Sequence, residues 1–156
     1  MPRRSYDKRP SPTGDTKFSN VLVARLIKKI NFTGKMNTSI RIVYTAFDII
    51  KEKTQQDPLT VFSQAVANVR PQLETKARQV GGATYQVPIE VDHFRGETMA
   101  IRWLISFAGD RKGIPMAQKL AEEIMLANRK EGAAFRKREE MHRMAEANLA
   151  FAHYRW

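Results

Sequence analysis

A mainly α-helical fold, a bundle of about six helices with one β-hairpin protruding between the third and fourth, is predicted by three features of this 156-residue chain. Apolar residues recur at helical spacing over most of its length. The stretch Val69 to Val91 (VRPQLETKARQVGGATYQVPIEV) breaks that rhythm, with a Gly81-Gly82 pair between two strand-like runs. There are no cysteines, so order must come from packing rather than from disulfides or thiolate metal sites.

Met1 to Asp15 (MPRRSYDKRPSPTGD) sets Arg3, Arg4, Lys8 and Arg9 among Pro2, Pro10, Pro12 and Gly14. Such a composition builds neither helix nor core, so residues 1–15 are expected to be a flexible basic tail and 16–156 a single domain. The prolines and Asp7 argue against a targeting helix, and no apolar run reaches the roughly 18 to 20 residues of a membrane span.

From Ser19 to Asn31 the series Leu22, Leu26, Ile30, with Val23 and Ile27 beside it, predicts the first helix. Gly34 breaks it. Asn37 is placed to cap a second helix on Ile40, Val43, Phe47 and Ile50. Asp57-Pro58 is a third start, because the carboxylate accepts orphan amide bonds where proline needs no amide partner. Phe62, Val66 and Val69 form that helix's buried stripe, and Pro71 ends it by forcing the preceding residue out of helical geometry.

The arm, about residues 72–91, follows. A two-residue Gly81-Gly82 loop pairs Arg78 with Tyr85, Lys76 with Val87 and Glu74 with Ile89 on one face. The arm is expected to contribute little to the core. Thr98 to Ala108 reads as a fourth helix, apolar nearly all round and therefore central, with Trp103 packed inside. Ala117, Leu120, Ala121, Ile124 and Met125 define a fifth, ending near Gly132, and Ala133 to Ala152 a densely charged sixth.

Lys and Arg total 27 against 16 Asp and Glu, a formal charge of +11 and a pI near 10.2. That imbalance favours a polyanionic partner. The basic groups fall in the tail, in Lys28 to Arg41, in the hairpin, and in Arg136 to Arg143 with Arg155. Tyr85, Phe94, Tyr154 and Trp156 are candidates to stack on unpaired bases. Enzyme signatures are weak. Glu139-x-x-His142 has the spacing of a di-iron helix but stands as a single copy among Arg136, Lys137, Arg138 and Arg143. Gly34-Lys35 lacks the rest of a phosphate-binding loop, and Glu52, Asp57, Asp92 and Glu97 suit caps or ion pairs. No catalytic residue, metal or cofactor is expected. A double-stranded DNA architectural role would lack a groove-reading motif.

Val80 to Val91 (VGGATYQVPIEV) and His142 to Trp156 (HRMAEANLAFAHYRW), with Asn68-Val69-Arg70-Pro71 and the Met1-Pro2-Arg3-Arg4 start, resemble the bacterial-type small-subunit ribosomal protein seven family from end to end. The resemblance implies a helical, non-catalytic protein that binds the three-prime major domain of small-subunit ribosomal RNA and nucleates assembly of the subunit head. Its ribbon and C-terminal region would lie near messenger RNA and exit-site transfer RNA, beside head and platform proteins. It implies a monomer on a cytoplasmic or organellar ribosome, away from any membrane. Implied RNA contacts are Arg3, Arg4, Lys35, Lys76, Arg78, Arg95, Arg102 and Arg143, to which the charge and aromatic patterns add Tyr85, Tyr154, Arg155 and Trp156. Met36, Gln79, Asp92, Gly96 and Leu149 stand where the family commonly carries basic residues, which thins the positive field near the hairpin. A protein of this kind also suits translational repression, by binding a messenger RNA that imitates the ribosomal site. A metal-dependent enzyme built on Glu139 and His142 is the remote alternative.

Overall fold

Local start signals place three of the six α-helices. Asn20 accepts the amides of Leu22 and Val23 and opens α1 (Val21–Ile30), while Asp57 accepts the amide of Thr60 and opens α3 (Pro58–Val69). α2 (Met36–Thr54) begins at Lys35 without a side-chain cap, and Asn37, expected to cap it, lies inside its first turn. The computed structural model describes residues 13–154. Arg3, Arg4, Arg155 and Trp156 lie outside the described residues.

After α3 the antiparallel hairpin β1 (Leu73–Val80) and β2 (Ala83–Glu90) precedes α4 (His93–Asp110), α5 (Met116–Asn128) and α6 (Gly132–Ala147), and a 3-10 turn spans Leu149–Tyr154. The expected architecture is therefore present, with shifted boundaries. α4 starts at His93 rather than Thr98, because Asp92 accepts the amides of Phe94 and Arg95. α5 ends at Asn128, before Gly132, which instead opens α6. α6 stops at Ala147, short of Ala152, as Asn148 turns back to bond the carbonyl of Met144.

The core joins all six helices. Phe47 of α2 and Phe62 of α3 are fully buried with ring centroids 5.6 Å apart, and Phe18 packs on Phe47 at 5.6 Å. Trp103 packs against this core from α4, as expected. α4 shares the centre with α5, which contacts α2, α3, α4 and α6.

Two carboxylates hold the framework at points that local pattern does not mark. Asp15, assigned to the tail by composition, is buried. It accepts the amides of Lys17, Phe18 and Asn20 and the hydroxyl of Tyr44. Burial pushes its carboxyl up, but those donors outweigh it and hold the group below its ordinary value of 3.8. Glu123 of α5 is fully buried and accepts the Ala134 amide in the first turn of α6 at 3.0 Å and Arg111 Nη2 at 2.6 Å. Glu131, at the cap position of α6, supplies no side-chain bond, so Glu123 caps that helix from a neighbouring element.

Candidate nucleic-acid interface

The hairpin pairs in the predicted register: Arg78 opposite Tyr85, Lys76 opposite Val87 and Glu74 opposite Ile89. Gly81 and Gly82 both adopt positive φ, 59° and 87°, as a two-residue turn with the strand twist requires. The tip from Ala77 to Thr84 is exposed apart from the half-buried Val80. The lower part is not free. Val87 and Pro88 are buried, and Tyr85 packs its ring on Phe151 at 5.1 Å and Tyr154 at 5.3 Å. The expectation that the arm contributes little to packing thus holds for the tip and fails for the base, where the 3-10 turn and α6 brace it.

α6 braces the ribbon through one imidazole. His142 Nε2 accepts the backbone amide of Gln72 at 3.0 Å. That bond occupies the Nε2 lone pair, one of the two ring nitrogens through which a histidine can bind a metal. No group of three or more His, Cys, Asp or Glu among the described residues is placed to hold a metal. Burial lowers the His142 pKa, the Arg138 guanidinium lowers it further, and Glu146 opposes both. Only neutral Nε2 accepts, and the depressed folded pKa means that the unfolded chain takes up the proton first. The bond's contribution is therefore complete above the ordinary value of 6.5 and is lost as pH falls from there through the lower folded pKa. The Gln72 amide resonance is expected to titrate together with the His142 ring, with a midpoint below 6.5, and to stay put in His142→Ala.

Glu74, nearly buried beneath the cationic face, receives Arg95 Nε and Nη2 at 3.1 and 2.9 Å and the Lys76 ammonium at 3.8 Å. The hydrogen-bonded carboxylate raises the Arg95 pKa further. One acid thus fixes the ribbon base beside the first turn of α4 and orients two cations whose side chains remain more than half exposed. Arg102 lies two turns beyond Arg95 on the same exposed stripe of α4. Lys35, at the start of α2, is exposed, as is Arg143 on α6. Arg143, Arg136 and Lys137 line a hollow with Phe107 of α4, tempered by Glu139 and Glu140. α4 thus meets the ribbon base through Arg95 and carries Arg102 on the same stripe, while Phe107, on another side of the helix, borders the hollow of the α6 cations.

The remaining sequence motifs have structural explanations. Asn68 donates to the carbonyls of Ala127 and Asn128 at the end of α5, and its own carbonyl accepts Arg138. Gly96 is buried, and a Cβ there would meet Arg70 Cγ at 2.8 Å and the Pro71 carbonyl at 3.1 Å. This position, read as a missing cation, is a close contact between α4 and the entry to the ribbon. Glu74, Glu123 and the acceptor role of His142 were not singled out by sequence reasoning. Only Glu74 carried a signal, its place in the predicted register beside Lys76.

Together these features define a class: a small, strongly basic helical protein with a braced projecting ribbon and, among its described residues, no metal-holding cluster. Residues 2–149 match the family profile described as Ribosomal protein S7p/S5e. Relatives named "Small ribosomal subunit protein uS7" are 55% identical in Endomicrobium trichonymphae, and 56% identical in Elusimicrobium minutum and in Thermotoga petrophila, each covering 100% of both chains. The chain belongs to the Ribosomal protein S7p/S5e family, structural and non-enzymatic proteins of the small ribosomal subunit. The repressor reading finds no support in these comparisons.

Proposed function

We propose that this chain binds ribosomal RNA directly, at the three-prime major domain of the small subunit, and nucleates assembly of the subunit head on cytoplasmic ribosomes. The observation that carries this reading is the braced ribbon, whose register sets Lys76 and Arg78 on the same face as Glu74. Family membership, the net charge of +11 and the exposed Lys35, Arg102 and Arg143 support it. Among the described residues, Lys35, Arg102 and Arg143 have no ion-pair partner, which leaves them for phosphate. Arg95 offers its outer nitrogen, and Arg3, Arg4, Arg155 and Trp156 add contacts from the two termini. Tyr85 and Tyr154 serve the interface by fixing the ribbon against the C-terminal turn.

Phosphate and sugar contacts position such a protein, and the folded shape of the RNA supplies selectivity. Ribbon and C-terminal turn, which pack together, would face the messenger RNA and the departing transfer RNA, with head and platform proteins alongside. Lys76→Ala and Arg78→Ala should each weaken binding to a transcript of the three-prime major domain and each reduce the salt slope by about one unit, the expectation for one lost phosphate contact. Salt titrations with both variants test this. Slopes equal to the parent's in both would remove the ribbon from the interface, and failure of the unmodified chain to prefer this RNA over an unrelated one would overturn the reading.

A further inference from the structure

Phe94, in the first turn of α4, is a large aromatic side chain left 60% exposed. It is held from one side by a clamped cation. The Arg25 guanidinium of α1 lies 4.2 Å from the ring centroid. Its Nη1 donates to the Glu97 carboxylate, and its Nη2 donates to Thr98 Oγ1 at 2.7 Å and to the Phe94 carbonyl at 3.1 Å. The Thr98 hydroxyl in turn donates to the Phe94 carbonyl at 2.8 Å. The Arg25 side chain is largely buried by these bonds, so the surface beneath the ring is rigid while much of the ring itself faces solvent.

Isolated exposed apolar side chains are ordinary and by themselves mean nothing. This one differs in its setting. An arginine plane beneath an aromatic ring extends a stack that an unpaired base can continue, because every base offers a π face and the cation is attracted to the ring it covers. The next residue, Arg95, spends Nε and Nη2 on Glu74, and its side chain remains 56% exposed. An apolar protein partner would call for a larger continuous patch than one ring among charged neighbours.

We infer that Phe94, stacked on Arg25, is a platform for one unpaired base of the bound RNA, with Arg95 taking the adjoining phosphate. This subsite rests on the RNA-binding reading above and adds to it a base contact that is insensitive to salt. Stacking platforms of this kind lose on the order of tenfold in affinity when the ring is removed, and no counterion is released at an uncharged ring.

The test measures full-length chain against the three-prime major domain transcript over a range of salt concentrations, with Phe94→Leu and Phe94→Trp. Leucine keeps an apolar cover on Arg25 and removes the π face. The expected result is roughly tenfold weaker binding for Phe94→Leu at every salt concentration, an unchanged slope and unchanged thermal unfolding, with affinity restored in Phe94→Trp. Ultraviolet cross-linking of the unmodified complex should join a nucleotide to the peptide carrying Phe94. If the unmodified chain binds and Phe94→Leu binds equally well, the platform is wrong and the broader reading stands. If Phe94→Leu instead loses only the association of a neighbouring subunit protein, the ring is a protein contact and the inference falls. Failure of the unmodified chain to bind would overturn both.

Discussion

Glu123→Ala is expected to lower the unfolding free energy by about 3–5 kcal/mol, the usual cost of removing one member of a buried, hydrogen-bonded charge pair. The carboxylate is fully buried and meets two donors, the Ala134 amide and Arg111 Nη2. Alanine would leave the amide without an acceptor in the interior and Arg111 with only its bond to Glu122. It would also remove a negative charge from the start of α6, where the helix dipole favours one. Glu123→Gln keeps an acceptor for the amide and should lose less. Because α6 carries His142, which holds the ribbon entry at Gln72, the alanine variant should also loosen the ribbon. Chemical denaturation of the two variants checks the order and size of the effects. A loss near 1 kcal/mol or less for Glu123→Ala would show that the site relaxes around the missing group.

Phe47→Ala should cost a similar amount, about 3–5 kcal/mol, for a different reason: the ring is fully buried and its removal leaves a cavity that close-packed neighbours fill only in part. Phe47 lies between Phe18 and Phe62, at 5.6 Å from each. It thereby couples the turn closed by Asp15 to the α2–α3 core. The melting temperature of a domain this size should fall by roughly 10 °C. Phe47→Leu, which retains most of the volume, should recover much of the loss. Calorimetry on both variants separates lost volume from a lost ring contact.

The hairpin was legible because its signals are local: two glycines at the turn and a period of two on either side fix its register. The Asp57-Pro58 start and the Pro71 stop were readable for the same reason, each acting within one turn of chain. What pattern could not carry were contacts between residues far apart in sequence. The cap on α6 comes from α5, the acceptor for Gln72 comes from α6, and the partners of Tyr85 come from the C-terminal turn. Asp15 was grouped by composition with the prolines before it, whereas its bonds close the turn that leads into α1. Asp92 and Gly96 were read as positions lacking positive charge. Their work is to cap α4 and to admit Arg70. The candidate interface was accordingly legible in its residue types and in the ribbon face. The bracing that orients it was not.

The support of Tyr85 by Phe151 and Tyr154 also orders events in time. On a growing chain the helical body up to α5 has all its members before the last turn is made, and N-terminal parts tend to organise first during synthesis. The ribbon leaves the translating machinery early but gains its aromatic splint only once Phe151 and Tyr154 have emerged. Its lower half therefore sets after α6 has been made, well behind the strands that form it.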